Sequence, residues 1–254
     1  MSAAPRGSPL VLKSLRGQVY DHLRQLLNRG ELPPGHFLDL DALEARLGVS
    51  RTPLRDALLQ LEAEGFVSIL ARRGVQVRPL RRDDVRHIYE IVGALEGAAL
   101  LAAFPRLGPA EAATLRRLNR EMRTAVESGD FDRYYDRNLA FHDVFLDRCD
   151  NERLVRLVRT LKQRLYDWPR RRGFVKAWEV ASVREHAAFA RLVEKGDARG
   201  AADHLRDVHW SYAVQERFVE QYYFSDDAPI APIAASRAHA APAKAVPTES
   251  RTPR

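Results

Sequence analysis

The spacing of apolar positions changes character along this chain. Over residues 10–29, Leu12, Leu15, Val19, Leu23 and Leu26 recur at helical spacing, and Gly30 with Pro33-Pro34 predicts the stop. A short helix is expected over 41–47, with Leu40, Leu43 and Leu47 on a small core and Gly48 as the turn that follows. The next helix has Ser50 as a cap and Pro53 in its first turn, where a missing N–H costs little. Leu54, Ala57, Leu58 and Leu61 form its buried stripe, and Gly65 ends it. The period then drops to two. Val67 and Ile69, then Val75 and Val77, predict half-buried strands around the turn Ala71-Arg72-Arg73-Gly74.

Beyond Pro79 every segment reads as helix. Asp83 or Asp84 caps one that carries Val85, Ile88, Val92, Leu95 and Ala99. Pro109 opens the next, with Leu115, Leu118, Met122 and Val126, and Gly129 closes it. Asp130 starts a third with Tyr134, Asn138, Phe141, His142 and Phe145, and Asn151 a fourth with Leu154, Leu157, Leu161 and Leu165, stopped by Pro169. Ser182 and Glu185 have capping-box spacing and open or reopen a helix holding His186, Phe189 and Val193. Gly196-Asp197 breaks it, and a last helix carries Ala201, Leu205, Val208 and Tyr212. The fold class is therefore mainly α: an N-terminal winged helix-turn-helix with a small β-hairpin, then an antiparallel all-α bundle. The expected organisation is a disordered lead at 1–9, the winged helix-turn-helix domain at 10–79, the helical domain at 80–224, and a disordered Ala/Pro-rich tail at 225–254.

Composition narrows this little further. The 254 residues, 45% hydrophobic and 30% charged, suffice for two modest cores. The net charge of +7 suits a polyanion, but residues 1–80 hold 11 Lys+Arg against 8 Asp+Glu, too small a surplus to argue DNA binding alone. One cysteine, Cys149, fits a reducing compartment. No long uncharged apolar run and no apolar leader core are present, so a cytoplasmic chain without a membrane partner is expected.

The order of elements points to DNA. Arg51 and Arg55 lie one turn apart at the start of the second helix of a helix-turn-helix, where each can pair bidentately with guanine. Thr52 and the free N–H groups of the helix start suit phosphate, and Arg72 and Arg73 at the wing tip suit a minor groove or the backbone. The run LGVSRTPLRDALLQLEAEGFV resembles the winged-helix domain of GntR-type bacterial transcription factors over residues 10–78. The resemblance implies DNA contacts from Ser50, Arg51, Thr52, Pro53 and Arg55, with Arg72, Arg73 and Gly74 in the wing, and a homodimer on a palindromic double-stranded operator.

In the helical body, Asn138 and His142 share a helix face, and His186, His204 and His209 lie on later helices. Oxygen and imidazoles converging inside a bundle can hold a divalent metal. Spacing alone fits hydrogen-bonded core histidines as well. Asn-x-x-Phe-His at 138–142, Asn151, Glu185-His186 and Gly196-Asp197 resemble the FCD effector domain of the FadR subgroup over residues 83–215. That likeness implies a metal of the Zn, Ni or Mn type assisting a small organic acid, with Asn138, His142 and His186 in the first three ligand positions. It also implies a repressor. The usual fourth ligand falls on Val208; His209, about 100° further round a regular helix, is expected to point elsewhere, and His204 is the candidate substitute. Without a metal, arginine and histidine hydrogen bonds would have to hold the acid.

Other features carry less. Tyr166-Asp167-Trp168-Pro169 followed by Arg170-Arg171-Arg172 reads as a helix stop with a solvated basic run, a lid or anion loop being the alternative. Tyr134-Tyr135 and Trp178 read as core or interface. A metal enzyme in the bundle lacks the paired Glu-x-x-His motifs of a di-metal site. A non-responsive architectural DNA-binding dimer remains the rival, and it requires a filled apolar bundle.

Overall fold

The computed structural model describes residues 14–166 and 174–225. The lead, Leu12, the basic run at 170–172 and the tail from residue 226 lie outside the described residues.

Helix α1 (Leu15–Asn28) starts where the Ser14 hydroxyl accepts the Gly17 N–H, and packs Val19, Leu23, Leu26 and Leu27 against α3 (Arg51–Ala63). Between them α2 (Leu40–Leu47) begins on Asp39, whose carboxylate accepts the Ala42 N–H, and ends at Gly48 in left-handed geometry. Strands β1 (Val67–Leu70) and β2 (Gly74–Val77) pair antiparallel with Val67 opposite Val77. Sequence periodicity missed a third edge: residues 35–38 run beside β2, with Gly35 and Leu38 N–H groups donating to Val77 and Val75 carbonyls and Phe37 bridging Gln76. Val67, Val75 and Val77 are buried, whereas Ile69 faces outward. Its N–H donates to Glu62 of α3, which ties the hairpin to the helix.

The helical body is built round α4 (Arg82–Ala103), which packs on the later helices Phe131–Leu146, Glu152–Tyr166 and Ala198–His204. Asp84 rather than Asp83 secures its start, accepting the Arg81 N–H at 3.0 Å. By length and composition α4 could cross a membrane, but half of its apolar stretch is buried in the body and it carries the buried charge of Glu96. Then come α5 (Pro109–Ser128), α6 (Phe131–Leu146) begun by Asp130, and α7 (Glu152–Tyr166), whose first turn Asn151 caps. In α7 the buried line is Val155, Val158, Lys162 and Leu165, not the leucine stripe expected; Leu157 is 56% exposed.

Helix α8 runs unbroken from Lys176 to Glu194, so Ser182 and Glu185 are interior residues and cap nothing. Glu179, Ser182, Val183, His186 and Phe189 form one buried face, which extends the helix two turns before the expected start. After α9 (Ala198–His204) the chain widens into a π-turn over Leu205–His209, with Trp210 N–H donating to the Leu205 carbonyl five residues back. Helix α10 (Tyr212–Val219) and a second π-turn (Glu220–Phe224) finish the described body. The first π-turn lies tight on α4: a Cβ at Gly93 would come within 3.0 Å of the Trp210 Cβ and 3.3 Å of the Arg206 Cα. Only a residue without a side chain allows that approach.

Candidate nucleic-acid interface and metal centre

On the N-terminal body, Ser50 is the N-cap of α3 by position, but its side chain makes no capping bond. The first N–H groups of α3 are therefore not closed off by that hydroxyl. Arg51 folds back on α2, at 2.6 Å from Asp41 and 3.0 Å from Glu44. Both links are solvent-facing, so they hold the guanidinium weakly and can be exchanged for an anion. Arg55 is exposed and has no ion-pair partner among the described residues; Thr52 is exposed and Pro53 half-buried. At the wing, Arg72 has φ 63°, in the left-handed region, while Arg73 lies 5.7 Å from the Phe37 ring centre. Phe37, 44% exposed beside the wing arginines, went unnoticed in the sequence, where its only signal is a lone aromatic in a polar stretch.

In the helical body, His142, His186 and His209 bring nitrogen atoms within 4.8 Å of one another. The expectation that His209 turns away does not hold. Counting at 3.6 residues per turn assigns the inward position to Val208, but the π-turn inserts one extra residue and rotates His209 inward. His204 is not the substitute: its Nε2 contacts the Glu185 carbonyl at 3.0 Å instead.

Each imidazole of the trio is oriented by an acceptor at Nδ1. His142 donates to Glu96 (2.9 Å), His186 to the Ser182 carbonyl (2.7 Å) and His209 to Glu185 (2.9 Å). Those oxygens can only accept, so Nδ1 carries the proton and the Nε2 lone pair is left facing inward in all three rings. His142 and His186 Nε2 atoms stand 3.3 Å apart, lone pair toward lone pair. A cation between them would relieve that apposition. A proton is disfavoured, because burial drives His142 down to about 4, against the pull of Glu96, and His186 well below its ordinary value. Beside the trio, Asn138 gives its amide N–H to the Tyr166 hydroxyl (3.3 Å), and its buried Oδ1 has no hydrogen-bond partner. Three imidazole nitrogens and one orphaned amide oxygen are a fitting donor set for a divalent transition metal.

Behind the trio lies a buried network that sequence reading missed. Glu96, fully buried, accepts from His142, from Lys162 Nζ (2.7 Å) and from Trp210 Nε1 (2.7 Å). Burial opposes its charge, but His142 and Lys162 outweigh that and hold it well below the usual carboxylate range. Glu185 is likewise kept low, burial being outweighed by bonds from His209 and Gln215.

A cavity of about 80 Å³ opens beside His209 and Asn138. Tyr134 and Trp178 belong to the packed core, as expected, and with Tyr135 they also line the cavity beside Glu179, Glu185 and Gln215. No arginine or lysine of the described residues lines it, so arginine hydrogen bonds from them cannot hold an acid there.

A helix-turn-helix with a wing, joined to a helical body around a histidine-lined cavity, defines a two-domain DNA-binding transcription regulator. The chain belongs to the GntR family: residues 15–77 match the model of bacterial regulatory proteins of the gntR family, and residues 87–209 match the FCD domain. It is 30% identical to the HTH-type transcriptional regulator McbR of Escherichia coli over 173 residues, 68% of this chain and 77% of that one. It is 27% identical to the HTH-type transcriptional regulator YdhC of Bacillus subtilis over 190 residues, 74% and 84% of the two chains. The solved structure of E. coli McbR/YncC shares the fold, with a TM-score of 0.63 at 23% identity over 83% of this chain and all of that one. The family is one of transcription regulators, not enzymes.

Proposed function

We propose that the protein is a cytoplasmic, metal-assisted sensor of a small organic acid that represses transcription as a homodimer and releases its operator when the acid binds. The observation that carries this reading is the set of three Nδ1-anchored histidines whose ring nitrogens converge within 4.8 Å, with an orphaned Asn138 oxygen one helical turn before His142. His142, His186, His209 and Asn138 would hold a metal of the Zn, Ni or Mn class. Once bound, it supplies a Lewis-acidic positive centre for a carboxylate. The cavity otherwise presents Glu179 and Glu185 and has no lysine or arginine among its described lining residues. An open cavity bordered by Glu179, Glu185 and His209 also argues against an architectural dimer with a filled bundle.

The dimer reading is supported by exposed apolar side chains on two helices that pack together, Ile91 and Leu101 on α4 and Leu157 on α7. Two copies related by a twofold axis present two reader helices, which suits a palindromic operator. Ser50, Arg51, Thr52, Pro53 and Arg55 then face the major groove, with Arg72, Arg73 and Gly74 on the neighbouring backbone. Arg55→Ala should weaken binding to a selected operator by roughly 5–150-fold, the value of one bidentate base contact of about 1–3 kcal/mol. Fluorescence anisotropy reads this, and an unchanged melting temperature shows that the fold is intact. Wild-type affinity and specificity in this variant would displace the reader helix from its assigned role.

Coupling between the bodies has a physical route through α7. Lys162 joins the network behind the histidines, and Tyr166 lines the cavity. Between them, Gln163 accepts from Arg24 of α1 at 3.2 Å. Arg164 lies against Gly65, just past the reader helix, so closely that a Cβ there would be 2.6 Å from its Nη1. A shift of α7 on ligand binding is thus felt at both α1 and the end of α3. Coupling of about 1–3 kcal/mol would change operator affinity roughly 5–150-fold. The test is operator binding by chelator-treated and zinc-reloaded protein across a panel of small acids. Acid-induced release is expected only after reloading, and a response that survives chelation rejects the metal's part.

A further inference from the structure

One end of the cavity carries a buried carboxyl group that the metal-sensor reading leaves unused. Glu179 lies on the same face of α8 as His186, seven residues earlier, about 10 Å along the helix axis. It is 92% buried (8% exposed) yet lines the cavity. The Tyr134 hydroxyl acts on it, but gives its one proton to Ser182 Oγ at 2.9 Å. No cationic side chain of the described residues acts on it; burial pushes its pKa up to about 7, with only Tyr134 opposing. Burial favours the neutral acid, so only a cation entering the cavity would draw Glu179 fully into its ionised form.

Its surroundings are suited to such a visitor. Nine of the sixteen residues lining the cavity are aromatic. Trp178, next to Glu179 in the chain, is held by its Nε1–H donating to Gln215 at 2.9 Å and meets Tyr222 edge-on at 5.7 Å. Aromatic faces attract ammonium groups, most strongly where water is excluded. A neutral ligand could offer Glu179 a hydrogen bond at most, whereas an ammonium group would offer the bond and the opposite charge together.

We propose that the effector is a zwitterion, a small acid whose ammonium group is taken by Glu179 and the surrounding aromatic rings while its carboxylate sits at the histidine end. The assignment of the carboxylate end rests on the metal-sensor reading above; the ammonium end rests on Glu179 and the rings alone. The two-turn separation suits an amine and a carboxylate several bonds apart, as in an ω-amino acid or its N-methylated betaine, better than an α-amino acid. The cavity has room for roughly six water-sized groups, which limits the ligand to a short chain.

The test uses the full-length protein loaded with zinc and isothermal titration with matched pairs: 4-aminobutyrate against butyrate, and 5-aminovalerate against valerate. Propylammonium and tetramethylammonium, which have no acid group, are titrated into metal-free protein. Each amino acid should bind at least 10-fold tighter than its deaminated partner, and at least one simple ammonium ion should bind. Glu179→Gln should remove both effects without weakening zinc binding. Pairs that bind alike, a preference that survives Glu179→Gln, or absence of both amino-acid and ammonium binding each overturn the proposal. Zinc-dependent acid binding with no amine preference rejects the zwitterion and leaves the metal sensor standing. Ammonium binding through Glu179 in a protein that takes no zinc rejects the metal and keeps the cation site.

Discussion

Alanine at His186 or His209 is expected to lower zinc affinity by roughly 100-fold or more, while alanine at His204 leaves it unchanged. Even outer-shell partners of metal-bound histidines are worth about 10–100-fold, and loss of a ligand exceeds that. The contrast between neighbours on one segment gives this prediction its force. His204 and His209 are five residues apart, and counting along a regular helix favours the first as the ligand. The π-turn reverses the order: His209 Nδ1 is anchored on Glu185 and its ring centre lies 4.6 Å from that of His186, whereas His204 is tied to the Glu185 carbonyl. His186→Ala also removes one of two facing lone pairs, so the metal-free variant should not melt lower than its cavity alone requires. Zinc titration calorimetry on the four proteins decides the matter, and equal losses at His204 and His209 would overturn the assignment.

What could be read from the sequence followed from regular geometry. The winged helix-turn-helix was legible because its apolar periods are clean and short and its turns fall at Gly48 and Gly65. Asn138 and His142 were placed on one face correctly because α6 is a regular helix between them. The prediction failed for His209, where one residue of π-turn shifts the register by about a quarter turn. It also failed at Ser182-Glu185, since capping spacing recurs inside helices and only burial of Glu179 shows that α8 begins earlier. A usable signal for Glu96 was missed: a lone acid in the run ALEGAALL falls on the buried phase of Val92, Ala99 and Leu100. Lys162, likewise, follows Val155 and Val158 at helical spacing. Trp178 and Tyr134 had no such signal, because an aromatic residue lining a cavity has the same periodicity as one filling a core.

Lys162→Met should destabilise the protein by about 3–5 kcal/mol, the cost of leaving a buried charge without its partner. The Lys162 side chain is 5% exposed and that of Glu96 not at all, so water cannot take over the role of the ammonium group. His142 cannot replace it at neutral pH, since burial keeps its imidazole neutral and able only to donate Nδ1–H. Trp210 contributes a hydrogen bond but no charge, and the ammonium group lies 5.4 Å from its ring centre, so the loss also removes a cation–π contact. The double variant Glu96→Gln/Lys162→Met should recover much of the stability, because removing both charges leaves neither one stranded. It should still bind zinc more weakly than wild type, as an amide orients His142 less firmly than a carboxylate. Denaturant unfolding of the single and double variants measures the first effect, and zinc titration of the double variant the second. A single variant within 1 kcal/mol of wild type would mean that Glu96 does not depend on Lys162. A double variant no more stable than the single would assign the loss to packing of the lysine stem rather than to its charge.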